Sequence, residues 1–302
     1  MISVIMSTYN EPLSLIIESL NSIMNQTYTN LEILVCLDNP ASKNNNKIIE
    51  FTKKDSRIKI MRNLVNLGLP KTLNRLIEAS HGDYIARMDA DDIAINTRLE
   101  DELKFLQRNH LDLVASNVSD MDMDGNNSGI ITGYPQRDKR IKEYLKYGDC
   151  MPHPTWLGTR EIFLRLKGYR DINACEDYDF ILRGAVDGFR YGVYTKPLLR
   201  YRINDLSISH TNNIDQIVTS IYLQAMYSQK EIPSINDIES FKRKPEGKKL
   251  RSDIVDYFNI IKYSNKSVIL RSTDRVKLLC TNSFARRELK NKFLRNIIRK
   301  EK

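Results

Sequence analysis

The stretch HGDYIARMDADD, residues 81–92, joins a short β-prone run to an acidic end. A Gly-Asp turn precedes the run, which closes in Asp89, Asp91 and Asp92, so the sequence predicts three carboxylates where a strand ends. In open α/β sheets, ligands bind at the carboxyl edge of the strands. Adjacent carboxylates repel one another unless a cation neutralises them, and Mg²⁺ and Mn²⁺ prefer hard oxygen ligands. The stretch therefore predicts a metal-bridged phosphate site; the alternative is an acidic surface loop that caps a helix beginning near Asn96.

Around this stretch, apolar runs alternate with helical patterns from the first residue. The β-prone runs occupy residues 2–7, 31–37, 58–61 and 84–86. After the first run, Pro12 suits the first turn of a helix, and apolar residues then recur at helical spacing. This alternation predicts an α/β fold with a parallel or mostly parallel sheet. The polar residues that follow the runs would then face one crevice: Tyr9, Asn10, Glu11, Asp38, Asn66, Asp89 and Asp91.

Several motifs occur in an order that resembles the family 2 inverting glycosyltransferases: STYNE, LDN, NLGLPKTLN, ARMDADD, HPTW and CEDYDFILR. The resemblance covers roughly residues 1–210. It implies the GT-A fold of nucleotide-diphospho-sugar transferases, with helices flanking a mostly parallel central sheet. It also implies a nucleotide-binding half, residues 1–110, and an acceptor-binding half, residues 111–210. A basic helical appendage, residues 211–302, would follow.

The resemblance assigns roles at the strand ends. It implies that Asp38 reads the uracil edge, that Asp89 contacts the ribose, and that Asp91, with Asp89 beside it, holds Mn²⁺ or Mg²⁺ on the diphosphate. The other implied contacts to the nucleotide sugar are Thr8, Tyr9, Asn10, Glu11, Asn66, Gly68 and Asn74. Many members have two consecutive acids and then Gly-Ser after the second strand, whereas this chain has LDNP at residues 37–40. The second acid is kept, so the local turn must differ.

A candidate base follows in CEDYDFILR. In an inverting transfer the acceptor hydroxyl attacks the anomeric carbon and must lose its proton in the transition state, which calls for a positioned carboxylate or histidine. The resemblance implies Asp177 as this base, with Glu176 beside it. The alternative is that both acids complement the dipole of the helix that begins there.

Three further side chains are candidate ligands. His153, held between two prolines, lies by resemblance at the floor of the sugar or acceptor pocket, with a structural role as the alternative. Arg202 is a candidate phosphate partner and His210 a candidate metal ligand, in a segment that often closes over the diphosphate in GT-A enzymes. Trp156, the only tryptophan, is expected in the core rather than on a sugar face.

The C-terminal quarter carries the positive charge of the chain. Residues 242–302 hold 19 basic and 6 acidic residues, whereas the rest of the chain holds 28 basic and 32 acidic residues. Residues 284–302 are predicted to form an amphipathic helix in which Leu289, Phe293 and Ile297 form one stripe between basic faces. Such a helix suits an anionic membrane surface; the alternative is that the stripe packs on the catalytic domain. No aromatic platform accompanies the charge, so nucleic acid is not an expected partner.

Other features of the sequence indicate where the protein acts. Its four cysteines show no C-x-x-C spacing, so neither a zinc site nor a disulfide framework is predicted. No apolar stretch is long enough to span a bilayer, and no leader precedes the first strand. We therefore expect a cytoplasmic enzyme, with peripheral contact to the inner face of the cell membrane through its tail.

Together these features predict a metal-dependent enzyme that moves a hexose from a UDP-sugar to a lipid-linked saccharide. The resemblance implies bacterial O-antigen, capsule or exopolysaccharide synthesis. A sugar-phosphate nucleotidyltransferase is an alternative, but it usually opens with a Gly-rich phosphate loop, and residues 8–13 contain no glycine. A non-catalytic sugar-nucleotide-binding protein is disfavoured because all the acids of the site are present: Asp38, Asp89, Asp91, Glu176 and Asp177.

Overall fold

A computed structural model describes residues 1–172, 174–203, 214–264 and 282–300. Its strands are β1 Ile2–Thr8, β2 Leu31–Leu37, β3 Ile58–Arg62, β4 Tyr84–Asp89, β5 Ile93–Ala94, β6 Leu113–Met121, β7 Asn127–Thr132, β8 Leu157–Thr159 and β9 Tyr191–Arg202. Its helices are α1 Leu13–Met24, α2 Asn45–Thr52, α3 Leu69–Ala79, α4 Arg98–Arg108, α5 Asp138–Tyr144, α6 Arg160–Arg165, α7 Glu176–Val186, α8 Ile214–Ser228, α9 Ile235–Arg243, α10 Pro245–Ser264 and α11 Ser283–Lys300. A 3₁₀ turn at His153–Thr155 precedes β8.

The nine strands form one sheet in the order β3-β2-β1-β4-β8-β6-β9-β5, with β7 paired to β6. Strands β3, β2, β1 and β4 pair in parallel, and β6 pairs in parallel with β9. The short strand β8 lies between β4 and β6 and is antiparallel to both, so β4 and β6 run in the same direction. The predicted α/β fold with a mostly parallel sheet is confirmed.

Both faces of the sheet are buried. In β1, Ile5 joins one core, which includes Trp156 and Phe180, whereas Val4 and Met6 join the core on the opposite face. Successive side chains of a strand point to opposite faces, so a strand buried on both sides is an almost continuous apolar run. This explains the composition of β1 and confirms that Trp156 is a core residue, with no exposed surface.

The C-terminal helices pack together and against the sheet domain. Val218, Ile254 and Phe284 share a small core of their own, whereas Ile238 and Ile298 join the larger core beside the sheet. The predicted helical appendage is therefore confirmed. Its predicted boundary at residue 210 lies outside the described residues and stays a prediction. Within the described ranges, every helix is too short or too polar to cross a membrane.

Candidate active site

The turn after β4 brings three carboxylates together. One carboxylate oxygen from each of Asp89, Asp91 and Asp92 lies within 4.8 Å of the others. Asp92 is buried: its Oδ1 accepts the backbone N–H of Arg202 at 2.8 Å, while its Oδ2 has no hydrogen-bond partner among the described residues. Crowded carboxylate oxygens, one of them buried and unpaired, fit a divalent cation such as Mg²⁺ or Mn²⁺. The predicted ligand His210 lies outside the described residues.

The electrostatics of this turn agree with that chemistry. Burial, with the nearby charges of Asp89 and Glu11, raises the pKa of Asp91 to about 7. Burial, with the charges of Asp89 and Asp91, raises the pKa of Asp92 well above its ordinary value. Burial likewise raises the pKa of Glu11, which faces Asp89. Negative charge is concentrated here, and a bound cation would relieve the repulsion between these groups.

Arg87 lies next to this cluster, in β4. Its side chain is 4% exposed, and its Nη2 forms an ion pair with Oδ1 of Asp89. Its Nε and Nη1 are buried, with no hydrogen-bond partner in the described part of the chain. Burial opposes its charge, but the pairing with Asp89 prevails and raises the pKa of Arg87, so the guanidinium stays charged. The sequence analysis gave Arg87 no role. A basic residue inside a buried strand nevertheless indicates a paired charge, because arginine is rarely buried without a partner.

Arg202 lies beside the same turn but uses its donors to hold backbone in place. Its Nε donates to the carbonyl of Asp91 at 2.8 Å, and its Nη1 donates to the carbonyls of Asp122 at 3.1 Å and Met123 at 2.7 Å. Its Nη2 donates to Oε2 of Glu18 at 2.7 Å. Each guanidinium nitrogen therefore has a protein acceptor. Arg202 therefore holds the acidic turn in place, and its contact with a phosphate stays a prediction.

Asp38 organises the loop between β3 and α3. Its Oδ1 accepts hydrogen bonds from Nδ2 of Asn63 at 2.6 Å and from the N–H of Leu67 at 2.8 Å. Its Oδ2 accepts the N–H of Gly68 at 3.0 Å, and Oδ1 of Asn66 accepts the same N–H at 2.9 Å. Gly68 has φ +79°, a left-handed backbone that glycine adopts without strain. The structure thus brings Asp38, Asn66 and Gly68 together, as predicted, at the carboxyl end of β2.

Four predicted contacts lie at or just beyond the carboxyl end of β1: Thr8, Tyr9, Asn10 and Glu11. Thr8 is buried, whereas the Tyr9 side chain is 45% exposed. The N–H of Tyr9 donates to Oε2 of Glu11 at 2.7 Å, and Oδ1 of Asn10 accepts from Nδ2 of Asn39 at 2.6 Å. Because β1 lies between β2 and β4, these residues stand between Asp38 and the acidic turn. We call the carboxyl ends of β2, β1 and β4 the strand edge.

Asn74 connects α3 to the second half of the domain. Its Nδ2 donates to the carbonyl of Tyr169 at 2.8 Å, and its Oδ1 accepts the N–H of the same residue at 2.8 Å. The Tyr169 hydroxyl in turn lies 2.8 Å from Nε2 of His153. The oxygen and the nitrogen of the Asn74 side-chain amide are therefore both bonded to the backbone of Tyr169, and the contact of Asn74 with the nucleotide sugar stays a prediction.

A cavity of about 410 Å³ opens beside the acidic turn. Its wall includes Arg87, Asp89, His153, Asp149, Glu176 and Asp177. Glu176 and Asp177 enter it from the first turn of α7, which begins at Glu176. Sequence reasoning missed Asp149 as well as Arg87, because a single acid in the loop GDCMP has no spacing pattern to mark it. The volume is within the range of small-ligand sites, so the cavity can hold a sugar-sized group.

The acids of the cavity are buried close to one another. Burial and the charge of Asp177 raise the pKa of Glu176 to about 7. Burial also raises the pKa of Asp177, although the N–H of Tyr178 donates to its Oδ1 at 2.6 Å. Burial and Asp177 raise the pKa of Asp149 to about 8. Carboxyl groups with raised pKa values in a cleft are suited to take up a proton near neutral pH.

His153 is neutral in this environment. Burial, with the charge of Arg87, holds its pKa well below the ordinary histidine value. Its ring makes edge contacts with Trp156 and Tyr169, at centroid distances of 4.5 and 5.3 Å. His153 therefore lines the cavity as an uncharged hydrogen-bonding group.

Comparison with known proteins identifies the family. Residues 3–166 match the family model described as glycosyl transferase family 2. The chain belongs to this family. It is 34% identical over 230 residues to the uncharacterized glycosyltransferase MJ1057 of Methanocaldococcus jannaschii, covering 76% of this chain and 77% of that protein.

Two Escherichia coli glycosyltransferases are also similar to this one. The O-antigen biosynthesis glycosyltransferase WbnJ is 29% identical over 245 residues, covering 80% of this chain and 92% of that protein. A UDP-Gal:alpha-D-GlcNAc-diphosphoundecaprenol beta-1,3-galactosyltransferase is 26% identical over 238 residues, covering 78% of this chain and 86% of that protein. The prediction of a glycosyltransferase of family 2 is therefore confirmed.

Solved structures show the same fold. S. aureus TarS 1–349 in complex with UDP-GlcNAc aligns with a TM-score of 0.63 at 18% identity, covering 96% of this chain and 88% of that chain. The mannosyltransferase PcManGT from Pyrobaculum calidifontis, in complex with GDP-Man and Mn²⁺, aligns with a TM-score of 0.59 at 15% identity, covering 97% of this chain and 84% of that chain. At these identities the likeness establishes the GT-A fold alone.

Proposed function

We propose that this glycosyltransferase moves a hexose from a UDP-sugar to a lipid-linked saccharide, with inversion at the anomeric carbon. The observation that carries the proposal is that one cavity joins the acidic turn to the acids of α7: Asp89, Glu176 and Asp177 all line it. A donor diphosphate at the turn would place its sugar in the cavity. An acceptor hydroxyl entering the same cavity would then meet a carboxylate.

The donor would lie along the strand edge. Asp38 holds a loop through the N–H groups of Leu67 and Gly68. This loop is suited to form one wall of the pocket for the uracil base, on the same strand edge as Tyr9 and Glu11. TarS 1–349 was solved with UDP-GlcNAc, and the galactosyltransferase relative carries UDP-Gal in its name, which supports a UDP-linked hexose as the donor.

The acidic turn would hold the cofactor. Asp89, Asp91 and Asp92 offer one oxygen each within 4.8 Å of one another, and hard oxygen ligands favour Mn²⁺ or Mg²⁺. When bound, such an ion acts as a Lewis acid on phosphate oxygens. The charged Arg87 beside Asp89 fixes one of these carboxylates in place. The solved mannosyltransferase with GDP-Man and Mn²⁺ has the same fold, which supports metal dependence.

Asp177 is the proposed base. The acceptor oxygen forms a bond to the anomeric carbon while the bond from that carbon to the β-phosphate oxygen breaks, and UDP leaves with the electron pair. The proton of the acceptor hydroxyl passes to the Asp177 carboxylate, whose raised pKa makes it a stronger base than an ordinary carboxylate. Glu176, adjacent in the first turn of α7, would orient the acceptor.

The proposed acceptor is a saccharide on a lipid diphosphate. The galactosyltransferase relative is named for GlcNAc-diphosphoundecaprenol, and WbnJ for O-antigen biosynthesis. On this proposal the protein works in the assembly of a bacterial surface polysaccharide, such as O-antigen, capsule or exopolysaccharide. It would act at the cytoplasmic face of the cell membrane, where it makes peripheral contact with lipid.

A donor and acceptor panel tests this function. The protein would be incubated with UDP- and GDP-hexoses, Mn²⁺ and a GlcNAc-diphospholipid acceptor. We expect one UDP-hexose to yield UDP and a β-linked product, with the linkage read by NMR from an α-linked donor. An α-linked product would overturn inversion. Release of pyrophosphate from UTP and a sugar phosphate would instead show a nucleotidyltransferase.

A further inference from the structure

The outward face of α11 carries three large apolar side chains among basic ones. Leu289, Phe293 and Ile297 are 58%, 64% and 40% exposed, and they recur every fourth residue, so they form one stripe along the helix. We call these three residues the α11 stripe. The exposed side chains of Lys290 and Lys292 lie beside it. Among the described residues the stripe is exposed, and Ile298 of the same helix makes contact with the main core.

The inward face of α11 fixes the helix to the cavity wall. Ile298 is buried in the main core, and Nη1 of Arg295 donates to the carbonyl of Tyr147 at 3.2 Å. The Arg299 guanidinium lies 5.5 Å from the ring centroid of Tyr134, and Tyr134 lines the cavity together with Asp149 and Asp177. The stripe is thus carried by a helix that touches the wall of the acceptor side.

The chemistry of this surface matches a lipid headgroup layer. Large apolar side chains between lysines are the pattern of helices that lie in the plane of a bilayer, with the apolar face in the acyl boundary and the cations at anionic headgroups. The C-terminal quarter of the sequence has the right sign of charge, with 19 basic and 6 acidic residues from 242 to 302. An anionic lipid surface offers an acyl layer for the three apolar side chains and negative headgroups for the basic residues. A protein partner would need an apolar patch surrounded by acidic residues to do the same.

We propose that the α11 stripe binds this protein to an anionic lipid surface. Because Arg299 of α11 contacts Tyr134, which lines the cavity, the cavity would then lie close to the membrane-bound helix. A lipid-linked acceptor would meet the cavity without leaving the membrane. This last step rests on the proposed function, whereas binding to lipid does not.

The test compares the full chain with a variant of the stripe, Leu289→Ser, Phe293→Ser and Ile297→Ser. Co-sedimentation would use vesicles of phosphatidylglycerol and phosphatidylethanolamine, with phosphatidylcholine vesicles alongside. The parent should bind the anionic vesicles, less so at high salt, and the stripe variant should bind at least about tenfold more weakly. Because the stripe is exposed, the variant should melt at the temperature of the parent.

A matched control carries Leu164→Ser, Val186→Ser and Ile235→Ser, three apolar side chains that are 52%, 42% and 40% exposed elsewhere on the protein. This control should bind vesicles as the parent does. A parent that ignores anionic vesicles, or a stripe variant that binds them equally well, would overturn the inference. So would a control that loses binding to the same extent as the stripe variant.

An activity measurement separates this inference from the proposed function. The stripe variant should transfer sugar to a water-soluble acceptor at the parental rate and lose at least about tenfold on a lipid-linked acceptor embedded in vesicles. If neither protein transfers sugar to either acceptor, the proposed function fails, and vesicle binding alone still decides the role of the stripe. Equal loss on both acceptors would contradict the stripe as a lipid contact.

Discussion

The loop that Asp38 holds and the cavity place their carboxylates in different surroundings. At the strand edge, both oxygens of Asp38 accept hydrogen bonds, from Asn63 and from two backbone N–H groups. In the cavity, Asp177 accepts the N–H of Tyr178, and burial raises its pKa and that of Glu176. The hydrogen bonds fix the position of the Asp38 carboxylate, whereas burial of Glu176 and Asp177 raises the affinity of these carboxylates for a proton. Carboxylates thus hold a loop in place in the first region, and in the second they are suited to the proposed proton transfer.

The sharpest test of the difference is Asp177→Asn. Removing the base should lower sugar transfer by about 10³-fold, within the usual range for general-base catalysis. The affinity for UDP, measured by calorimetry, should stay near that of the parent because the proposed base contacts the acceptor hydroxyl rather than the nucleotide. Glu176→Gln is the matched comparison and should lose less. Transfer by the Asp177 variant at a near-parental rate would move the role of base to another group.

Asp91→Asn tests the acidic turn. The substitution keeps the shape but removes a charged ligand, so transfer should fall by about 10²-fold, since a Lewis acid is worth several kcal/mol. UDP binding should also lose its enhancement by Mn²⁺, which calorimetry with and without the ion would show. Asp124→Asn, on the exposed turn before β7, controls for the loss of one negative charge. Equal enhancement by Mn²⁺ in variant and parent would remove Asp91 from the metal site.

Two buried arginines near the turn sharpen the comparison further. Arg202→Met should lower the free energy of unfolding by about 3 kcal/mol, because it removes the hydrogen bonds to three backbone carbonyls and to Glu18, each worth on the order of 1 kcal/mol. Arg87→Met should lower the free energy of unfolding by less. The substitution removes the ion pair with Asp89, but Nε and Nη1 of Arg87 have no hydrogen-bond partners within the described residues that could lose a bond. Denaturant unfolding of both variants measures the difference. A greater loss for Arg87→Met would reverse the roles assigned here.

The pH dependence gives the smallest effect. The base must be deprotonated to accept a proton, and burial and Asp177 raise the pKa of Glu176 to about 7 while burial raises that of Asp177. The value of kcat/KM should therefore begin to fall at a pH above the ordinary carboxyl range, and then drop by about tenfold per pH unit. A flat profile from pH 8 to pH 5 would contradict a buried carboxylate base.

The sequence predicts what is encoded locally. Strand–helix alternation predicts the mostly parallel sheet. The polar residues at the strand ends predict that Asp38 and Asn66 lie on one edge and that Asp89 and Asp91 lie close together, and the family resemblance adds Gly68. What the sequence could not show are contacts between distant segments. The three-residue strand β8 is too short to carry a period, so its place between β4 and β6 was hidden.

The same limit applies to single side chains. The sequence predicts Arg202 and Asn74 as ligand contacts, and it could not show that their donors bind backbone carbonyls and, for one donor of Arg202, the Glu18 carboxylate. Asp149 was missed because it reaches the cavity only through folding of the loop before the 3₁₀ turn. A motif marks a residue as important without saying which way its side chain faces.

The contact of Asn74 with the backbone at residue 169 has a consequence for engineering. Gly168 has φ +66°, and a Cβ placed on it would lie 2.2 Å from Oδ1 of Asn74. Residues 74 and 168 therefore form a matched pair that spans the two halves of the domain. Chimeras that join the first half of one relative to the second half of another, to exchange acceptor preference, should carry this pair over together. A chimera that has a residue other than glycine at position 168 and keeps Asn74 should fold poorly, whatever donor-binding and acceptor-binding residues it contains.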